Sequence, residues 1–154
     1  MSRHPAAFAI LVGGGIAGAL DIAYAIAWAT YRGSNAMHLL QVVASGWLGA
    51  ASYDGGWATA MLGLASHFGM AFLYAAFFFF VARRVDWLVR HAVVAGVLYG
   101  FAVFLLMNLV VLPLSAFPHE VKFTGLGPFT NLLSHLFFFG LPIALATRRA
   151  LAPR

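Results

Sequence analysis

Residues 8–31 read FAILVGGGIAGALDIAYAIAWATY, an apolar stretch interrupted by a single acidic residue, Asp21. A helix rises about 1.5 Å per residue, so this stretch is long enough to cross a hydrocarbon core roughly 30 Å thick. It also exceeds the ~7–15 apolar residues of a signal peptide, so we expect a retained helix. A carboxylate at bilayer depth is costly and is kept away from lipid, which makes Asp21 the first candidate functional residue.

The composition of the whole chain agrees with this first stretch. The chain is 63% hydrophobic and 8% charged, whereas about a quarter of the residues in a soluble domain are charged. Backbone groups cannot be left unpaired in lipid, so membrane-spanning stretches of this length are expected to be helices. We therefore predict one all-α integral membrane domain over residues 1–154. Its four transmembrane helices are predicted at about 7–31, 57–82, 92–117 and 125–146.

The basic residues predict the orientation of these helices. Two of them, Arg32 and Lys122, fall in connections on one side of the predicted bundle. The other seven fall on the side of the two termini and are Arg3, Arg83, Arg84, Arg90, Arg148, Arg149 and Arg154. Cytoplasmic loops carry the excess of arginine and lysine, so both termini are predicted to be cytoplasmic. The net charge of +5 thus reflects the orientation of the helices in the membrane. Because no basic face is predicted outside the membrane, we expect no nucleic-acid partner.

A further short helix is predicted in the first outer connection. Ser34 follows Gly33 and can cap a helix over about 35–50. Asn35, His38 and Gln41 share one face of this helix, and apolar residues occupy the rest. That pattern is typical of an interfacial or re-entrant segment folded over the mouth of the bundle.

Each predicted span carries a polar side chain on a face that also holds small or aromatic residues. Small residues allow helices to approach closely, so these faces are expected to point into the bundle. At 1.5 Å per residue the aspartate and both histidines fall at a similar depth, and Asn108 lies slightly nearer the outer edge. The predicted polar core consists of Asp21, His67, Asn108, Asn131 and His135.

Several classes of chemistry find no support in the sequence. The chain has no cysteine, which excludes disulfides, thiolate metal sites and a cysteine nucleophile. It contains no Gly-rich phosphate loop, no G-x-S-x-G and no H-E-x-x-H motif, which favours a non-enzymatic protein. His38, His119 and Glu120 lie on outer connections and are interpreted as solvated residues rather than as a metal site.

One resemblance spans most of the chain. Its motifs are the Gly-rich first helix, a histidine early in the second, and a third helix ending in Asn108-Leu-Val-Val-Leu-Pro113-Leu114. The fourth helix adds Ser134-His135 followed by aromatic residues and a terminal Arg148-Arg149. This pattern resembles the YagU-type family of small bacterial inner-membrane proteins. The resemblance implies a multi-pass protein of the inner membrane and implies no activity.

Three functions remain open at this point. The first is proton-linked transport or permeation, with Asp21, His67 and His135 as a relay, and Asn108 and Asn131 lining the path. Because four helices form a thin-walled bundle, this function would call for a homo-oligomer. The second is a non-catalytic protein of membrane assembly or stress response. The third is electron transfer by a b-type haem held between His67 and His135; no other cofactor is predicted.

Overall fold

The computed structural model describes residues 4–152 of the 154-residue chain. These residues form an all-helical protein in which no strand occurs, and four of the helices are long and apolar enough to cross a membrane. The four long helices are α1 (Pro5–Tyr31), α3 (Gly56–Ala82), α5 (Ala92–Leu114) and α6 (Leu126–Leu151). Two shorter helices, α2 (Ala36–Leu48) and α4 (Asp86–Arg90), lie in connections. The predicted all-helical fold with four helices of spanning length is confirmed; Arg3 and Arg154 lie outside the described residues.

The ends of the long helices differ from the predicted spans by three or more residues at two places. Helix α5 ends at Leu114 instead of continuing to residue 117, because the chain becomes extended at Ser115. Helix α6 continues five residues beyond the predicted span, to Leu151. Its last turn holds Arg148 and Arg149, whose positive charges stabilise the negative end of the helix dipole. Hydropathy marks where the apolar stretch ends, and a helix can continue past it.

The long helices pack in the order α3–α1–α6–α5. Helix α1 contacts both α3 and α6, and α5 contacts α6. The loop end is the end of the bundle with residues 32–55 and 115–125, and the arginine end is the opposite end, with residues 83–91 and 148–152.

Helices α5 and α6 touch backbone to backbone through three glycines. A side chain at Gly96 would meet Leu141 Cα at 2.8 Å, and one at Gly100 would overlap the carbonyl of His135. Gly140 faces the backbone of Gly96 and Gly100 in turn. Such close approach is available only without a Cβ, so these glycines set the position of α6 on α5.

Aromatic side chains connect α5 to α3, the two helices at the ends of this order. The hydroxyl of Tyr99 donates a hydrogen bond of 2.8 Å to the backbone carbonyl of Tyr74. The Tyr99 ring also lies 4.8 Å from the ring of Phe78. Tyr74, Phe78 and Val103 belong to the main buried core, so the bundle is closed on this side by side chains rather than by backbone contact.

Helix α2 forms as predicted, but its cap is Asn35 and not Ser34. The Asn35 side chain accepts a hydrogen bond of 2.9 Å from the backbone N–H of His38, which is the usual role of an N-cap residue. Ser34 lies one residue too early, because its own N–H still bonds back to Ala29 at the end of α1.

Helix α2 packs directly on α3. Gln41 donates to the carbonyl of Gly56 at 3.1 Å, and further along both helices Trp47 donates to Ser66 at 3.0 Å. Between these bonds a side chain at Gly63 would overlap the carbonyl of Leu40. Helix α2 is therefore held against α3 by contacts of residues 40–47.

Candidate functional site

Asp21 is buried between α1 and α6 and has a defined partner. Asp21 is 9% exposed. Its Oδ1 accepts a hydrogen bond of 2.5 Å from the hydroxyl of Ser134. Ser134 is itself 2% exposed. The bond therefore holds the Asp21 carboxylate against α6.

His135 brings a second ionisable group to the same carboxylate. Its Nδ1 lies 3.9 Å from Asp21 Oδ1 and 3.0 Å from the backbone carbonyl of Asn131. A carbonyl only accepts hydrogen bonds, so Nδ1 carries the proton and donates to Asn131. In the neutral ring Nε2 is then the nitrogen that can accept a further proton.

The surrounding helices fix the His135 ring in place. His135 begins a π-helical stretch of α6, residues His135–Gly140, and such widened turns re-aim side chains and recur at functional sites. The rings of Phe104 and Phe139 each lie 5.8 Å from the imidazole. The glycine contact at Gly100 holds the His135 backbone against α5. We call Asp21, Ser134 and His135 the acid–imidazole cluster.

His67 lies on the other side of α1 and does not join the acid–imidazole cluster directly. Its Nε2 is 2.9 Å from the carbonyl of Gly18, so Nε2 is the protonated nitrogen. Gly18 precedes Asp21 by one turn of α1 and packs against Phe68 and Ala71 of α3. His67 thus contacts α1 one turn before Asp21.

The two asparagines of the predicted polar core are placed differently. Asn108 is half-buried, and its side-chain amide donates a hydrogen bond of 2.8 Å to the Phe104 carbonyl in the preceding turn. This leaves Asn108 Oδ1 as an acceptor. Asn131 is exposed, and the cluster uses its backbone carbonyl rather than its side chain.

A pocket of about 400 Å³ opens at the loop end beside Asn108. Helix α5 forms one wall and the connection 115–125 forms the other, which includes His119, Glu120 and Phe123. The Phe123 ring lies 6.3 Å from the ring of Phe104, and Phe104 in turn contacts His135. Two aromatic rings therefore separate this pocket from the acid–imidazole cluster.

The histidines of the loop end form an aromatic cluster with a tyrosine. The hydroxyl of Tyr53 is 2.9 Å from Nε2 of His119, and the ring of His38 stacks on Tyr53 at 5.2 Å. Within residues 4–152, no group of three or more His, Asp or Glu residues is arranged to hold a metal ion. Glu120 is directed to Lys122, whose Nζ lies 3.7 Å from the carboxylate.

The haem hypothesis requires both histidines to offer a free nitrogen to one cofactor. The structure leaves His67 Nδ1 and His135 Nε2 without a hydrogen bond among the described residues. Helix α1 stands between the two residues, since His67 bonds to the Gly18 carbonyl and His135 contacts Asp21. A haem between them would have to displace α1.

Ser134 is the member of the cluster that sequence reasoning did not select. It lies next to His135, and its side chain points about 100° away around the helix. The available signal was depth, because Ser134 falls at the level predicted for Asp21. Periodicity alone could not identify α6 as the helix that faces Asp21.

Comparison of the chain with family models, curated proteins and solved structures finds no match. The function must therefore be inferred from the geometry of the site.

Proposed function

We propose that this chain is a multi-pass protein of the bacterial inner membrane that carries out proton-linked transport or permeation. The observation that supports this most directly is the 3.9 Å approach of His135 Nδ1 to the buried carboxylate of Asp21. An aspartate in a membrane span is costly and is usually part of a substrate or proton pathway. Histidine is the side chain that most readily exchanges protons near neutral pH.

The cluster supplies the groups that a proton relay needs. A proton arriving at His135 Nε2 gives an imidazolium whose positive charge lies beside the Asp21 carboxylate. The proton on Nδ1 then faces both the Asn131 carbonyl and Asp21 Oδ1, and a shift of about 1 Å would bring Nδ1 within hydrogen-bonding distance of the carboxylate. Transfer of that proton protonates Asp21 and returns the ring to its neutral form. His67 is proposed to continue the path along α1.

The loop-end pocket is the proposed point of entry. Asn108 Oδ1 and the Glu120 carboxylate offer acceptors there, and Asn131 is exposed near the start of α6. The rings of Phe104 and Phe123 lie between this pocket and His135. Movement of the connection 115–125, which carries Phe123, would open the path to the cluster.

The proposal includes the orientation of the protein in the membrane and its oligomeric state. The arginine end is proposed to face the cytoplasm, and α2 is proposed to be the re-entrant or interfacial segment of the outer side. The resemblance to the YagU-type family supports the inner-membrane location. Because the four helices enclose little space, we propose that the working unit is a homo-oligomer.

The test is proton flux into proteoliposomes loaded with a pH-sensitive dye, with a potassium diffusion potential as the driving force. Asp21→Asn and His135→Gln are expected to reduce proton entry at least tenfold while membrane insertion and yield stay normal. The matched controls are Asp86→Asn and His91→Gln, which remove an exposed carboxylate and an exposed imidazole at the arginine end. Wild-type flux in both cluster variants would disprove the relay and leave the assembly or stress-response function.

The haem alternative has its own simple measurement. A reduced-minus-oxidised absorption spectrum of protein produced with adequate haem supply is expected to be featureless. A haem spectrum that is lost in both His67→Ala and His135→Ala would instead assign electron transfer.

A further inference from the structure

The net charge of the exposed surface lies almost entirely at the arginine end. Five described arginines are exposed there, and the acidic residue near them is Asp86, which gives a formal charge of +4. At the loop end Arg32 and Lys122 are balanced by Asp54 and Glu120, which gives zero. The five arginines are Arg83, Arg84, Arg90, Arg148 and Arg149.

The fold brings these arginines together from separate parts of the chain. Helix α4 packs against α6, α5 and α3. Its apolar residues Leu88 and Val89 pack on the main core together with Leu145 and Leu151 of α6. The exposed face of α4 and the last turn of α6 therefore lie side by side at the same end.

The arginine side chains there are largely free to bind an anion. Among the described residues Arg90 alone of the five has a carboxylate within 4 Å, that of Asp86 at 3.7 Å. This pair is weak, because the two side chains are 76% and 84% exposed. Arg83 instead lies over the Phe79 ring at 6.0 Å.

Trp87 adds an exposed aromatic residue to this surface. It is 45% exposed and stacks on the ring of His91 at 5.1 Å. Tryptophan is enriched at the level of lipid headgroups, where its ring is apolar and its N–H remains hydrated. Arginine next to such a residue binds phosphate oxygens with two parallel hydrogen bonds.

We propose that the arginine end binds the headgroup phosphate of an anionic phospholipid. The occupant is a membrane lipid such as phosphatidylglycerol, held between α4 and the last turn of α6, with Trp87 at the depth of the headgroup. Charge complementarity and the exposed Trp87 on the same helix as Arg90 support a lipid over a soluble anion. This inference does not depend on proton transport, because none of these residues belongs to the acid–imidazole cluster.

The experiment is native mass spectrometry of the full chain released from mixed detergent–lipid micelles. Phosphatidylglycerol is expected to remain bound at least five times more than phosphatidylcholine. Arg148→Gln/Arg149→Gln is expected to lower phosphatidylglycerol retention roughly tenfold or more, since each arginine near a membrane surface contributes about a fivefold effect. Arg84→Gln/Arg90→Gln tests the opposite side of the same site and guards against a folding defect in the first variant.

The matched control is Arg32→Gln/Lys122→Gln, which removes the same charge from the loop end and is expected to leave retention unchanged. A second readout is quenching of Trp87 by phosphatidylglycerol with brominated chains, in protein whose other three tryptophans are phenylalanine. Equal retention of the two lipids, or an equal loss in the loop-end control, would overturn the proposal.

Discussion

The hydroxyl of Ser134 donates a hydrogen bond of 2.5 Å to Oδ1 of Asp21, which joins α1 to the first half of α6. The two residues are far apart in sequence, and both are buried. The bond does two things at once: it satisfies a carboxylate that would otherwise be unpaired in an apolar bundle, and it places that carboxylate beside His135.

Replacing Ser134 with alanine should destabilise the bundle. The Asp21 carboxylate would lose its hydrogen-bond donor in a buried site, at a cost of about 1–3 kcal/mol. The measurement is the free energy of unfolding in mixed micelles of detergent and a denaturing surfactant. Ser45→Ala is the control, because Ser45 is equally buried but bonds only to the Val42 carbonyl of its own helix. Equal losses in the two variants would contradict the special role of Ser134.

Adding one methyl group at Gly100 should separate α5 from α6. A Cβ there would overlap the His135 carbonyl, and forced overpacking of this kind costs about 1–3 kcal/mol. We expect Gly100→Ala to lower both the unfolding free energy and the proton flux, since it displaces the backbone of His135. Gly69→Ala is the matched control in a helix, because nothing lies within 4 Å of a Cβ at that position. That change should be neutral or stabilising by up to ~1 kcal/mol, and a similar loss at both sites would refute the contact.

Removing the hydroxyl of Tyr99 should loosen the junction between α3 and α5. Tyr99→Phe keeps the ring contact with Phe78 and deletes the bond to the Tyr74 carbonyl. The expected loss of unfolding free energy is about 0.5–1.5 kcal/mol. Tyr31→Phe serves as the comparison, since Tyr31 is 80% exposed and its change should have no measurable effect. Identical stability of the wild type and Tyr99→Phe would mean that the aromatic contacts alone close this side.

Shortening Phe123 should increase access to the acid–imidazole cluster. In Phe123→Ala the ring that contacts Phe104 is gone, so water should reach His135 more readily from the loop-end pocket. Hydrogen–deuterium exchange of peptides covering residues 131–138 is expected to rise several-fold. Phe129→Ala removes another exposed ring and should leave this exchange unchanged. Unaltered exchange in Phe123→Ala would show that the two rings are not the barrier.

The helices were predictable because the number of apolar residues needed to cross a bilayer depends on its thickness and not on the helices that pack together. The approximate spans and the existence of α2 follow from hydropathy and capping residues. The helix ends were less accurate: capping by Asn35 instead of Ser34, and the continuation of α6 through Arg149, depend on local backbone geometry.

The partners within the site were not predictable to the same degree. Periodicity gives the face of each helix, so Asp21 was expected to point inward. Which helix it faces depends on the packing order, and that order is set by contacts such as Gly100 against His135. For the same reason sequence reasoning grouped His67 with His135, although α1 stands between them.

The close packing of α2 on α3 has a consequence for how the protein is made. The ribosome produces residues 36–48 before the part of α3 that receives them, since Leu40 fits against Gly63 and Trp47 bonds to Ser66. While α1 alone has been synthesised, α2 lacks these contacts and can pack only on α1, where Leu40 lies in one apolar cluster with Ile22. Helix α2 can dock on α3 only after α3 has been inserted. During biogenesis, insertion of α3 therefore comes before docking of α2, although α2 comes first in the chain.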